Sequence, residues 1–543
     1  MSNTARAQEL KAEGNTLFGQ GEYTTASAKY AEALQHDDQS AILYANRAAC
    51  SLHLRKFDEA KVDAEKAVEL DPGYAKGWGR LAAACDGLQE YEKSAVCWRR
   101  ALAALPQRDV TAAELNQKEQ CEAGEKDALT KLAKATGILV DGDSMKGKWP
   151  WDRVAAMEDE LQAGYPKNAD SSAWVMLRAV RLWDRGSRGM TQVKTRMTPA
   201  GLQWGGCDGV LASLTDAILT DVRVFRIEGF QWLEMFNKQA KLEARRTGAW
   251  PSLTVERIQA EAVKRQQQEG WDAARNAVDV TVRIWVMQGF LATHVNANTQ
   301  VALQHFNAAL DLLNWGRTAS WRDASARDRG DVFEDYFVRA VRGLRLEVLR
   351  ADCAILPHPE AALQTLYEEV QSMISEIPEV ETVVLTEGGR GPGFVSAFSI
   401  YLKAHALTTV GFYHQKIVDQ YPPREEDGAT IVKHYLEAHV AYLEAAMLYP
   451  KDDEKHAWFL HVAFDALRMC GGPFGLALNV TKQMRLALPH IMKIWQFSQA
   501  AKQGAYVCCE EVLKIGRKIE KDLADGKITL EDPMLPNYAP WTP

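Results

Sequence analysis

A 34-residue period runs from Ala7 to Pro106, and it constrains this chain more than any other feature. Three units start at Ala7, Ala41 and Ala75. The eighth position of each is Gly14, Ala48 and Ala82, small residues where two helices must approach closely. The seventeenth is aromatic throughout: Tyr23, Phe57 and Tyr91. The twentieth is Ala26, Ala60 and Ser94, and the twenty-fourth is Tyr30, Ala64 and Trp98. The twenty-seventh is Ala33, Ala67 and Ala101. Pro72 and Pro106 close the second and third units, where a helix has to stop, and Asp38 takes that place in the first. Fixed self-similarity of this length is the signature of stacked helical hairpins, each too small to bury its apolar face alone.

The pattern resembles the tetratricopeptide repeat (TPR). Six positions recur without a gap over three units (7–40, 41–74 and 75–108). Ser94 at an alanine position and Ala64 at an aromatic one are mild departures. The resemblance implies a three-unit helical solenoid over residues 1–106. Residues 107–136, with the run DVTAAELNQKEQCEAGEKDALTKLAKA, are rich in helix formers and charged on most faces, as a capping helix should be.

In this register the first helix of each unit lines the concave face. Lys11 and Asn15 are four residues apart and share one face of the first such helix. Lys76 and Arg80 repeat the spacing on the third, and Asn46 stands on the second. A lysine gives a point charge, an arginine a planar fork and the two amides neutral donors, a set suited to two neighbouring carboxylates. The settings LKAEGN, YANRAAC and YAKGWGRLAAA resemble the carboxylate-clamp repeats of co-chaperones. The resemblance implies that Lys11, Asn15, Asn46, Lys76 and Arg80 hold the last residue of a Glu-Glu-Val-Asp tail. Such tails belong to cytosolic heat-shock chaperones of the seventy- and ninety-kilodalton classes.

Composition bounds the remaining readings. Hydrophobic content of 47% and charged content of 25% are ordinary for a soluble globular chain. The net charge of −8 argues against a broad nucleic-acid footprint and makes any basic groove a local feature. The segment MSNTARAQELKAEG lacks the apolar core of a secretory signal. The longest apolar stretch, 280–295, contains Arg283, Gln288 and His294 and is too short to span a bilayer. Nine scattered cysteines with no C-x-x-C pair fit a reduced, cytoplasmic protein, with Cys508 and Cys509 the only neighbours.

The rest of the chain is less explicit. Residues 137–210 read as an irregular connecting segment, rich in Gly and Trp, with a short amphipathic helix near Val154–Ala163 and packing by Trp149, Trp151 and Trp204. Asp141, Asp143 and Ser144 begin like a calcium loop, but Pro150 and Asp152 stand where the later ligands should. From 211 to 525 apolar residues recur at three and four, which predicts a helical C-terminal domain, followed by a tail at 526–543. VETVVLTEGG is the one β-rich run. Ala302, Phe306, Ala309 and Leu310, with Trp285 and Gly289 upstream, have the spacing of a decayed repeat unit; so do Ala438, Tyr442, Ala445 and Pro450.

No motif for chemistry survives inspection. GGRGPGF, residues 388–394, lacks the Lys-Ser or Lys-Thr of a phosphate loop. His434 and His439, like His456 and His461, are five apart rather than four, so neither pair shares a helix face for a metal. The expectation is therefore an all-α protein without catalytic, cofactor or metal residues. A TPR solenoid precedes a larger helical, repeat-like domain. The chain reads as a co-chaperone adaptor that binds a chaperone tail at one end and a second partner or client at the other, with no nucleic acid or membrane. A scaffold for some other acidic C-terminus and an unfamiliar enzyme in the C-terminal part are the alternatives.

Overall fold

Each repeat folds as two helices because its small and aromatic positions fall on one face of each. In the computed structural model, which describes residues 3–106, 111–135, 145–198, 201–227, 231–354, 360–378, 388–420 and 428–534, the first unit gives α1 (Asn3–Gly19) and α2 (Tyr23–Leu34). The second gives α3 (Ala41–His53) and α4 (Phe57–Leu70), and the third gives α5 (Ala75–Gly87) and α6 (Tyr91–Ala103). Next comes α7, Ala112–Ala135. Successive helices pack on one another from α1 to α7, and α3 also touches α5. Every residue at the eighth, twentieth and twenty-seventh repeat positions is buried. A Cβ on Gly14 would lie 2.7 Å from the Tyr30 ring, so a larger residue there would push α1 off α2.

The chain divides into two compact units. The first holds residues 1–139 with 291–298 and 355–357, and the second holds the remainder. In the first, Leu10, Tyr30, Leu34 and Leu43 form one apolar cluster, and Trp78, Leu81, Cys85, Cys97 and Cys121 lie in another. Lys131 on α7 reaches Asp86 on α5 at 2.7 Å, and Arg99 on α6 reaches Glu125 on α7 at 2.7 Å.

Residues 137–210, read as irregular, hold more regular structure than the sequence suggested. The helices Pro150–Ala156 and Glu158–Gly164 are followed by a 19-residue helix, Ser172–Met190. Its N-cap is Ser171, whose hydroxyl accepts from the Ala173 N–H, and Trp174, Leu177 and Trp183 are among its buried residues. The strands β1 (Lys194–Thr198) and β2 (Gly201–Gly205) then pair antiparallel, Thr195 opposite Trp204. Trp149 and Trp151 stack at 4.9 Å, and the Trp204 ring lies under Arg245 at 4.8 Å. Apart from this hairpin, every named regular element among the described residues is helical. VETVVLTEGG lies almost wholly outside the described residues, as do Asp141, Asp143 and Ser144.

The second unit is built mostly from neighbours in sequence. The helix Gly428–Leu448 packs on both Tyr401–Val418 and Glu454–Met469, and Thr299–Thr318 packs on Asp335–Ala354. The decayed repeat stretches fall within these pairs. Ala302, Phe306 and Ala309 are buried, as are Ala438, Tyr442 and Ala445. A Cβ on Gly289 would sit 3.0 Å from the Phe306 ring, and one on Gly411 would sit 2.7 Å from Tyr442. The glycine–aromatic contact of the first repeat thus recurs beside both stretches. The stretch VRVFRIEGFQWLEMFNKQAKLEARR is only partly helical: a 3-10 turn covers Val222–Val224 and the helix proper is Trp232–Thr247.

An ionic core ties this unit together at Arg223. Its guanidinium pairs with Asp221 at 2.7 Å, Asp453 at 2.8 Å and Glu454 at 3.3 Å, and lies 3.9 Å from the Trp495 ring centre. Tyr401 donates to Asp453, and Ser498 donates to Glu454. Burial alone would raise the Asp453 pKa, but Arg223 overrides it and holds the carboxyl below its ordinary value.

Two outcomes follow from this packing. Arg223→Met strands buried carboxylates without a cation, and urea denaturation should show the second unit destabilised by about 3–5 kcal/mol. Ser94, the departure from alanine, is fully buried with no partner for its hydroxyl. Ser94→Ala should therefore stabilise the first unit by about 1 kcal/mol in the same measurement; a loss of stability would contradict the packing described.

Candidate peptide-binding face

The five residues picked from the sequence stand on three helices. Lys11 and Asn15 are on α1, Asn46 on α3, and Lys76 and Arg80 on α5. Asn46 Nδ2 donates to Asn15 Oδ1 at 3.2 Å, which joins α1 to α3. Arg80 lies close enough to Cys50 of α3 for its charge to oppose the rise that burial causes in that thiol, which reaches about 11. Asn15, Lys76 and Arg80 are exposed, while Lys11 and Asn46 are half-buried.

Tyr30 was legible only as a core aromatic, yet it positions this face. Its ring fills the space against Gly14, and its hydroxyl donates to Asn15 Oδ1 at 2.8 Å. Burial pushes the Tyr30 pKa up to about 12, so it remains a donor at neutral pH. With Oδ1 accepting from both Tyr30 and Asn46, Asn15 must turn its Nδ2 donors the other way. The only hint in the sequence was that a tyrosine, whose hydroxyl needs a partner, fills the twenty-fourth position of the first unit.

Many cations of the first unit are already paired. Arg6, Lys29, Arg47, Lys61, Arg99 and Lys131 each lie within 4.0 Å of a carboxylate. Arg47, beside Asn46 in the chain, is held by both oxygens of Asp63 at 2.8 and 2.6 Å and is not available to a ligand. Among the described residues, Lys11, Lys76 and Arg80 have no such partner. Arg80 is open to solvent yet walled by protein, and this partial burial lowers its pKa against the pull of Tyr74 and Cys50. It stays a cation without a counter-charge.

No family model matches the chain. Similarity to curated proteins concentrates in a short segment. The chain is 31% identical over 150 residues to the "Hsp70-Hsp90 organizing protein" of Triticum aestivum, covering 28% of this chain and 25% of that protein. It is 43% identical over 77 residues to "Small glutamine-rich tetratricopeptide repeat-containing protein 2" of Saccharomyces cerevisiae, 14% of this chain and 22% of that one. The N-terminal segment is a TPR domain. The chain thus spans about a quarter or less of the length of these relatives. Among solved structures, "First TPR of Spaghetti (RPAP3) bound to HSP90 peptide SRMEEVD" is 30% identical, covering 22% of this chain and 93% of that one at a TM-score of 0.20.

Outside the TPR domain, the histidine pairs of the sequence do not come together. His439 Nδ1 meets the Ala463 carbonyl at 2.8 Å and His456 Nδ1 meets that of Ala446 at 2.6 Å, both as buried core contacts. His434 instead approaches His414, Nδ1 to Nδ1 at 2.9 Å. No group of three or more metal-ligating side chains occurs among the described residues, nor is any described helix long and apolar enough to cross a membrane. The nine cysteines are free, and burial pushes the Cys509 thiol up to about 12, away from thiolate reactivity.

Tyr30→Phe keeps the ring and removes the donor. It should cost the TPR domain about 1 kcal/mol in chemical denaturation and shift the Asn15 side-chain amide resonances, with Asn46 following. Unchanged resonances would show that Tyr30 does not orient the pair.

Proposed function

We propose that this protein is a cytoplasmic, non-enzymatic co-chaperone adaptor whose TPR domain takes the C-terminal Glu-Glu-Val-Asp tail of a seventy- or ninety-kilodalton heat-shock chaperone. The observation that carries the reading is the set of three cations, Lys11, Lys76 and Arg80, left without carboxylate partners beside the oriented amides of Asn15 and Asn46. A C-terminal aspartate offers two carboxylates on adjacent atoms. Lys11 and Lys76 supply point charges to them, Arg80 a bidentate fork, and the amides the remaining hydrogen bonds. The names of the similar proteins, an Hsp70-Hsp90 organizing protein and a small glutamine-rich TPR protein, support the same class.

In this reading the mechanism is tethering. The tail anchors the adaptor, and whatever the C-terminal part holds, a client or second partner, is raised to a high effective concentration beside the chaperone. A peptide contact of this size gives micromolar binding, about −8 kcal/mol. Much of it is Coulombic between accessible groups, so affinity falls as salt rises.

The test compares a free-acid peptide ending in Glu-Glu-Val-Asp with its C-terminal amide by calorimetry. The free acid should bind at least about tenfold more tightly, and Lys76→Ala with Arg80→Ala should abolish its binding. Equal affinity for the two peptides would contradict the proposal, as would full binding by the double variant. Preference for a different acidic C-terminus, with the same two variants still defective, would reassign the partner to another tail.

A further inference from the structure

The second unit contains a cavity of about 510 Å³ between the helix Ser172–Met190 and the glycine-rich segment 389–394. Arg178, Arg181 and Arg185 line one wall, three and four residues apart and so on one helix face. Arg390 lines the other. Arg181 is paired with Glu158. Arg178 and Arg185 have no carboxylate within 4.0 Å among the described residues, although Asp216 attracts Arg178 from farther away. The Nε–H of Arg178 is buried without an acceptor. Like charges at this spacing on a helix repel, and a buried donor without a partner is costly, so the arrangement suits an anion.

The walls are fixed in advance. The Phe394 ring lies close to two guanidinium groups, Arg178 at 5.0 Å and Arg390 at 4.9 Å from its centre. A Cβ on Gly393 would fall 2.4 Å from the Trp174 carbonyl oxygen, so the glycine segment presses directly on the arginine helix. Tyr165 stands edge-on to Trp174 at 6.0 Å and supplies an aromatic surface beside the charges. Convergent guanidinium forks, flat apolar walls and a volume in the usual range for small ligands fit a compact, multiply charged oxyanion carrying an organic group.

We propose that this cavity is a binding site for a phosphate-bearing small molecule, with Arg178 and Arg185 holding the phosphate and Tyr165 and Phe394 flanking the organic part. GGRGPGF contributes shape here and not the chemistry of a nucleotide loop; the charge comes from a helix some two hundred residues earlier. The site is independent of the TPR domain.

The test uses the full chain carrying Lys11→Ala, Lys76→Ala and Arg80→Ala, so that the TPR cations do not contribute, and titrates pyrophosphate at constant ionic strength by calorimetry. Saturable binding at one site is expected. Arg178→Gln and Arg185→Gln should each weaken it about tenfold or more, while Arg485→Gln, in an exposed pair with Glu520, should leave it unchanged. Arg185 is exposed, so Arg185→Gln tests the site without endangering the fold, which circular dichroism checks. No saturable binding by about 10 mM pyrophosphate, or equal binding by Arg185→Gln, overturns the proposal. Tighter binding of citrate than of pyrophosphate overturns the choice of phosphate, and tighter binding of a phosphoserine peptide overturns the choice of a small molecule.

Discussion

A helix without a side chain at one point, facing an aromatic ring, is the constraint on which both units depend. At Gly14 a single methyl would stand 2.7 Å from the Tyr30 ring. The absence of that methyl lets α1 and α2 approach until Ala26 and Ala33 are wholly buried. The close approach delivers the Tyr30 hydroxyl to Asn15, and through Asn15 orients Asn46. Packing in the repeat core and the chemistry of its polar face are therefore one event.

The same contact shows why the first repeat was more legible than the later ones. Gly14 and Tyr30 are sixteen residues apart, Gly289 and Phe306 seventeen, and Gly411 and Tyr442 thirty-one. The contact is kept while its spacing in the chain varies, because longer connections between two helices cost little once the helices are packed. Periodicity found the helices of 302–310 and 438–445 through their small and aromatic residues, but could not show that Gly411 faces Tyr442. Ser172–Met190 was missed although its arginines share one face and its apolar residues the other, because the Gly, Pro and Trp residues around it suggest irregular chain, and the hairpin because its ten strand residues carry little apolar alternation.

The polar site was legible as residue types at repeat positions. What could not be read was which cations are already neutralised. Arg47 adjoins Asn46 in sequence and is an arginine like Arg80, but Asp63, sixteen residues on, holds it in a bidentate pair. Pairings of that kind depend on how α3 meets α4. The arginine cavity was hidden more deeply, since its two walls come from 178–185 and 389–394 and neither run is diagnostic alone. In the second unit the Arg223 core makes the same point: Asp221, Asp453 and Trp495 meet only when the chain is folded.

The central claim is that the unpartnered cations of the TPR face act on a terminal carboxylate. A double-mutant cycle between Lys76→Ala and amidation of a Glu-Glu-Val-Asp peptide measures that interaction directly, because it removes each charge alone and then both together. The account predicts a coupling of about 1 kcal/mol or more, with the amidated peptide nearly indifferent to the loss of Lys76. Additive losses, with no coupling, would mean that Lys76 and the carboxylate do not meet and would contradict it.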